Sequence, residues 1–127
     1  MLDIREMIIQ DKIADFKDYD FVRNLIINRI EIESIPKYQQ QTFFLSHQVH
    51  EYNSELSDYV ENLYETLDRY ISICDFNEEN LKILEYLFIG MDVRDICKLK
   101  KIKNQSVFNR IRKIVLKINF VAELERN

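Results

Sequence analysis

The chain reads as all-α: an N-terminal helical bundle or long heptad-bearing helix, followed by a C-terminal unit of three shorter helices. Three observations predict this class. Glycine and proline each occur once, as Gly90 and Pro36, whereas an antiparallel β fold uses glycine for the positive-φ residues of its tight turns. Apolar side chains recur at helical spacing along the whole length, which also argues against disorder. The middle of the chain carries a heptad pattern sustained over several repeats.

Residues 2–16 read as a first helix, with Met7, Ile9, Ile13 and Phe16 on one face. Residues 15–20 form a turn, and Asp18 or Asp20 caps the next helix. That second helix is expected from Phe21 to Ile32, with Val22, Leu25, Ile26 and Ile30 inward. The alternation of Ile30, Ile32 and Ile35 suits a half-buried strand, but no second strand is in view, so the segment is kept helical. Pro36 suits a first helical turn. After it, Val49, Leu56, Leu63 and Tyr70 recur every seven residues. Leu45, Tyr52, Tyr59 and Thr66 form the offset series, while Val60 and Leu67 widen the stripe. A helix from Pro36 to Ile73 would be about 57 Å long, unless Asn53 and Ser54 interrupt it. Its stripe serves either a bundle within the chain or a coiled coil between copies, and both leave an acidic outer face. Asn77, followed by Glu78 and Glu79, is a good helix start. That helix carries Leu81, Leu84, Tyr86, Leu87 and Phe88, and Gly90 stands where a C-cap belongs.

Length and composition bound the rest. The chain has 127 residues, one domain's worth, and 46% of them are apolar, enough for a modest core. No apolar run approaches the roughly 20 residues of a membrane span. The first six residues, Met1 to Glu6, lack the basic stretch of a signal peptide, so a cytoplasmic protein is expected. Cys74 and Cys97 fall in different helices and read as reduced thiols in the core. Abundant Ile, Lys and Asn with little Ala suggest an AT-rich gene, common in low-GC bacteria and their phages.

The net charge of −4 argues against a nucleic-acid binder, but its distribution does not. Residues 1–76 hold 7 Lys+Arg and 15 Asp+Glu, whereas residues 77–127 hold 11 and 7. Residues 98–117 contain eight basic residues and no acid. Such asymmetry is a better guide to partners than the total. It divides the chain into an acidic region, 1–76, and a basic unit, 77–127.

Within the basic unit the chain reads helix, short loop, helix, tight turn, helix. Asp92 caps the middle helix, with Asp95 at a capping-box spacing. Ile96 and the small Cys97 point inward, and Ile102 fills the turn. The last helix buries Val107, Ile111, Ile114 and Ile118, spaced 4, 3 and 4. Its other face shows Gln105, Asn109, Arg112 and Lys113, with Ser106, Arg110 and Lys117 alongside. Asn and Gln amides match the adenine edge in the major groove, and Arg matches guanine. Gln105, Asn109 and Arg112 are therefore candidate base readers. Lys98, Lys100, Lys101, Lys103, Ser106, Arg110, Lys113 and Lys117 are the candidate phosphate contacts.

This segment resembles the helix-turn-helix of sigma-70 region 4, in the form found in small phage and mobile-element transcriptional regulators. Gly90, Met91, Asp92, Ile96, Cys97, Ile102, Val107, Arg110, Ile111, Arg112 and Lys113 fall in register with that family's pattern. Lys101 stands where the turn glycine is usual. Lys100 stands where a leucine is usual, with Leu99 as a substitute. Lys103 stands where a capping Ser or Thr is usual, with Asn104 as the replacement cap. The resemblance covers about 40 residues and implies promoter-type DNA binding or association with RNA polymerase. Its register implies that the first turn of the last helix enters the major groove, which adds Asn104 and Phe108 to the candidate base readers, Phe108 for a thymine methyl.

Other chemistry is not indicated. His47 and His50 lie at i, i+3 but lack the order of the zinc-protease motifs, so they read as helix-surface histidines and no metal is expected. A single glycine leaves no phosphate-cradling loop, and no nucleophile–base set stands out. The expectation is a DNA-binding regulator, not an enzyme, with no cofactor. Its partners would be double-stranded DNA, RNA polymerase or another protein on the acidic region, and a second copy through the heptads at Leu45, Val49, Tyr52, Leu56, Tyr59, Leu63 and Tyr70. The alternative is a phage-encoded inhibitor or adaptor whose acidic helices grip a basic protein surface.

Overall fold

The computed structural model describes residues 14–34 and 50–125, with the side chains of 50–56 left aside. All regular structure among them is helical: α1 Tyr19–Ile27, α2 Arg29–Glu33, α3 His50–Cys74, α4 Glu78–Phe88, α5 Val93–Lys100 and α6 Asn104–Glu125. None of these helices is long and apolar enough to cross a membrane.

Local chemistry sets most of the boundaries. Asp18 caps α1, its carboxylate accepting from the Phe21 amide at 2.9 Å. Asn77 caps α4 through the Asn80 amide, and Asp92 caps α5 through the Asp95 amide, each at 2.8 Å. Each cap satisfies a donor the helix leaves unpaired. Gly90 ends α4 at φ 96, with its own amide donating to the Leu87 carbonyl and Met91 donating to Tyr86. That pair of bonds is a Schellman motif, which needs the left-handed residue that glycine supplies.

Two expectations require correction. The first helix does not reach Phe16: residues 14 and 15 are irregular and residues 16 and 17 form a turn, while residues 2–13 lie outside the described ones. Phe16 instead sets its ring edge-on to Phe21 and Tyr70, at 5.4 Å from each. The expected helix from Phe21 to Ile32 is broken at Asn28, which adopts φ −108, ψ 24. The break re-aims the next turn, so Ile32 is buried and Ile30 is 51% exposed. Ile30 lies against Gly90, where a Cβ would meet its Cδ1 at 2.9 Å. By contrast, α3 runs unbroken through Asn53 and Ser54, as the long-helix reading expected.

The heptad stripe can be followed only from residue 57. Leu45, Val49, His47 and the proposed start at Pro36 lie outside the described residues, as do the side chains of His50, Tyr52 and Leu56. From there on, Val60, Leu63, Tyr64, Leu67, Tyr70 and Cys74 are buried, and Tyr59 and Thr66 are half-buried. This face of α3 packs against α6 and α2 of the same chain. Cys74 and Cys97 are free thiols, and burial pushes the Cys74 thiol above its ordinary pKa.

α6 is the spine. It packs against α1, α3, α4 and α5, and the buried side chains form one cluster drawn from both the acidic and the basic regions. Asn119 on α6 also donates to the Phe16 carbonyl at 2.8 Å.

A polar junction links the first four helices. Arg29 opens α2 and donates from Nη1 and Nη2 to both Asp68 oxygens on α3, at 2.7 and 2.9 Å, while its Nε donates to Glu33. Its guanidinium lies over the Tyr64 and Phe88 rings, at 4.6 and 4.5 Å from their centroids. Burial disfavours the charge, but the bonds to Asp68 and Glu33 outweigh it and hold the guanidinium above its ordinary pKa. Tyr64 donates to the Leu25 carbonyl at 2.7 Å, and burial pushes its pKa up against the pull of Arg29. Arg29 and Tyr64 thereby tie α1, α2, α3 and α4 together. Lysine could not replace the planar fork that makes both the paired bonds and the stacking.

Candidate nucleic-acid interface

α5 ends in basic residues, as the negative end of a helix favours. Lys98 and Lys101 are exposed and Lys100 is half-buried. The chain then turns through residues 101–103. Lys101 sits at φ 57, ψ 44, and the Ile102 amide donates to the Cys97 carbonyl at 3.2 Å. This is the left-handed position that glycine ordinarily takes, so the lysine noted in the sequence as a departure carries a conformational cost. Lys101→Gly is expected to stabilise the fold by about 0.5–1 kcal/mol and raise the melting midpoint by about 2–6 °C. A lowered midpoint in thermal unfolding would show that the lysine side chain, and not the backbone, governs this turn.

Ile102 is half-buried against the core, while Leu99 is 54% exposed. Leu99 therefore does not stand in for the inward leucine of the region 4 pattern; Ile102 closes the turn instead. Asn104 is also not the cap. The Lys103 carbonyl accepts from the Ser106 and Val107 amides at 3.0 and 3.3 Å, which makes Lys103 the flanking residue and Asn104 the first helical one.

With that start, α6 has two distinct faces. Val107, Ile111, Ile114 and Ile118 are buried, joined by Val115 and Ala122. Asn104, Gln105, Ser106, Asn109, Arg112 and Lys113 are exposed, and Phe108 is 42% exposed. Gln105 Nε2 donates to Asn109 Oδ1 at 3.1 Å, so the two amides lie side by side one turn apart. Each keeps its other polar atom for further bonds. Lys103 is exposed at the N-terminal edge of this face.

Three members of the phosphate set are placed otherwise than the sequence suggested. Lys117 is exposed, but its Nζ lies 5.4 Å from the centroid of the Phe76 ring, at the α3–α4 connector. It is also about 20 Å along the helix from Asn104. Arg110 and Lys100 are half-buried and ion-paired with Glu79 on α4. Glu79 is the residue that sequence reasoning missed: it was legible only as a first-turn acid, and nothing in the spacing pairs it with Arg110 and Lys100. No family model, curated protein or solved structure matches the chain.

Proposed function

We propose that the protein binds double-stranded DNA, with α5, the turn at 101–103 and α6 acting as a helix-turn-helix. The observation that carries this reading is the exposed face of the first turns of α6. It holds the amides of Gln105 and Asn109, the cations Arg112 and Lys113 and the ring of Phe108, while residues 98–117 hold no carboxylate. Amides and Arg at the N-terminal end of a helix suit the donor–acceptor edges of a major groove. Lys98, Lys101 and Lys103 stand beside them for the phosphates. The resemblance to sigma region 4 makes the role that of a transcriptional regulator of phage or mobile-element type. In this reading residues 77–127 meet the DNA. Residues 1–76, whose α3 exposes Asp58, Glu61 and Glu65, meet a protein partner such as RNA polymerase.

Gel retardation of short duplexes across a salt series tests it. Affinity should fall steeply between about 50 and 200 mM salt, with a log–log slope of about −0.9 per phosphate contact. Lys101→Ala and Lys113→Ala should each weaken binding to all sequences alike and flatten the slope by about one contact. A protein that retards no duplex at low salt would leave the exposed acids of α3 as the functional surface, and with them the protein-binding alternative.

A further inference from the structure

Two cations assigned to the phosphates are already engaged inside the chain. Glu79, in the first turn of α4, holds Oε2 2.8 Å from Arg110 Nη2 and Oε1 3.7 Å from Lys100 Nζ. The side chains of Glu79, Arg110 and Lys100 are 55%, 36% and 27% exposed, so the group sits at the open rim where α4, α5 and α6 meet. A carboxylate set with one oxygen toward an arginine and the other toward a lysine neutralises the two charges that a phosphodiester would otherwise meet. On a solvated rim such pairs are weak enough for a stronger anion to displace.

We propose that Glu79 is an internal competitor for DNA phosphate at the Lys100–Arg110 pair. The inference rests on reading this face as a DNA-binding surface. While Glu79 is engaged, the two cations add little to backbone binding, and a phosphate reaches them only by displacing the carboxylate. Glu79 is remote in role from the amides of Gln105 and Asn109, which the ion pair does not touch. It therefore sets the affinity for duplex of any sequence and leaves the reading of bases alone.

The test is Glu79→Gln in the full chain, titrated against a random-sequence duplex over the same salt range. Thermal melts followed by circular dichroism confirm that the variant is folded. Glu79→Gln is expected to bind about 3- to 10-fold tighter at about 50 mM salt. Its log–log salt slope should steepen by about 0.9 to 1.8, as one or two freed cations join the phosphate contacts. Adding Lys100→Gln and Arg110→Gln to that variant should erase the gain, whereas the same pair of changes in the natural chain should have little effect. Equal affinity and equal slope for the natural chain and Glu79→Gln would overturn the inference and leave the DNA reading standing. Weaker binding by Glu79→Gln would also overturn it, since the carboxylate would then be positioning the cations and not competing for them. Retardation by neither protein would remove the inference together with the DNA reading.

Discussion

Replacing Gln105 or Asn109 with alanine is expected to weaken binding to the preferred duplex by about 5- to 150-fold and to leave binding to random duplex nearly unchanged. The two amides are exposed on one face of α6 and within hydrogen-bonding distance of each other, at 3.1 Å. A side-chain amide that pairs with an adenine edge contributes about 1–3 kcal/mol of discrimination, which is the fold-change stated. The two amides are also each other's partners. Either truncation removes the other's partner, so the two losses should not add. The helix start bears on the same prediction. With Asn104 as the first helical residue, Ser106 and Arg110 flank the amide face and do not lead it. The natural chain's preferred site is obtained by selection from random duplexes, and each variant is then titrated against that site and against random DNA. Equal losses on both would mean that these side chains touch phosphates or nothing, and that bases are read elsewhere.

Ile118→Ala is expected to destabilise the fold by about 2–5 kcal/mol, out of a total of about 5–15 kcal/mol for a domain of this kind. Ile118 is fully buried in the central helix, so truncation removes apolar contacts and leaves a cavity that rigid neighbours fill only in part. The melting midpoint should fall by about 6–25 °C. Phe120, two residues along the same helix, is 60% exposed, and Phe120→Ala should change stability by less than about 1 kcal/mol. The larger residue is thus expected to matter less, because burial and not size decides the loss. Similar losses for the two variants would show that the faces of α6 are oriented otherwise. Because α6 also carries the proposed base-reading face, Ile118→Ala should weaken DNA binding only as far as it unfolds the chain at the temperature of measurement.

Much of this was legible in the residues. Asn77 and Asp92 were readable as caps, and Asp18 as one of two candidates with Asp20, because a capping side chain acts on an amide only a few positions away. Gly90 was readable as a helix end for the same local reason. The buried series Val107, Ile111, Ile114 and Ile118 follows from the helical period alone. So does the opposite face with Gln105, Asn109, Arg112 and Lys113. Lys101 was visible as a residue out of place, and the backbone at φ 57 shows what the place demands.

By itself, then, the sequence determined the all-helical class, most helix ends, both faces of the last helix and the basic stretch. These depend on period, caps and charge, and each acts within a turn or two of chain. Only the tertiary structure decided what the faces meet. Arg29 finds Asp68 across 39 positions, and the break at Asn28 that turns Ile30 outward shows in the apolar pattern only as the alternation at Ile30 and Ile32, which does not place it. Glu79 finds Arg110 and Lys100 because α4 lies beside α5 and α6, which no spacing announces. The last helix looked like part of a separate basic unit, yet its buried stripe runs on to Ala122 and packs against α1 and α3 as well. Apolar burial has no direction of its own. A stripe along a helix states that it will be covered, and only the folded chain states by what.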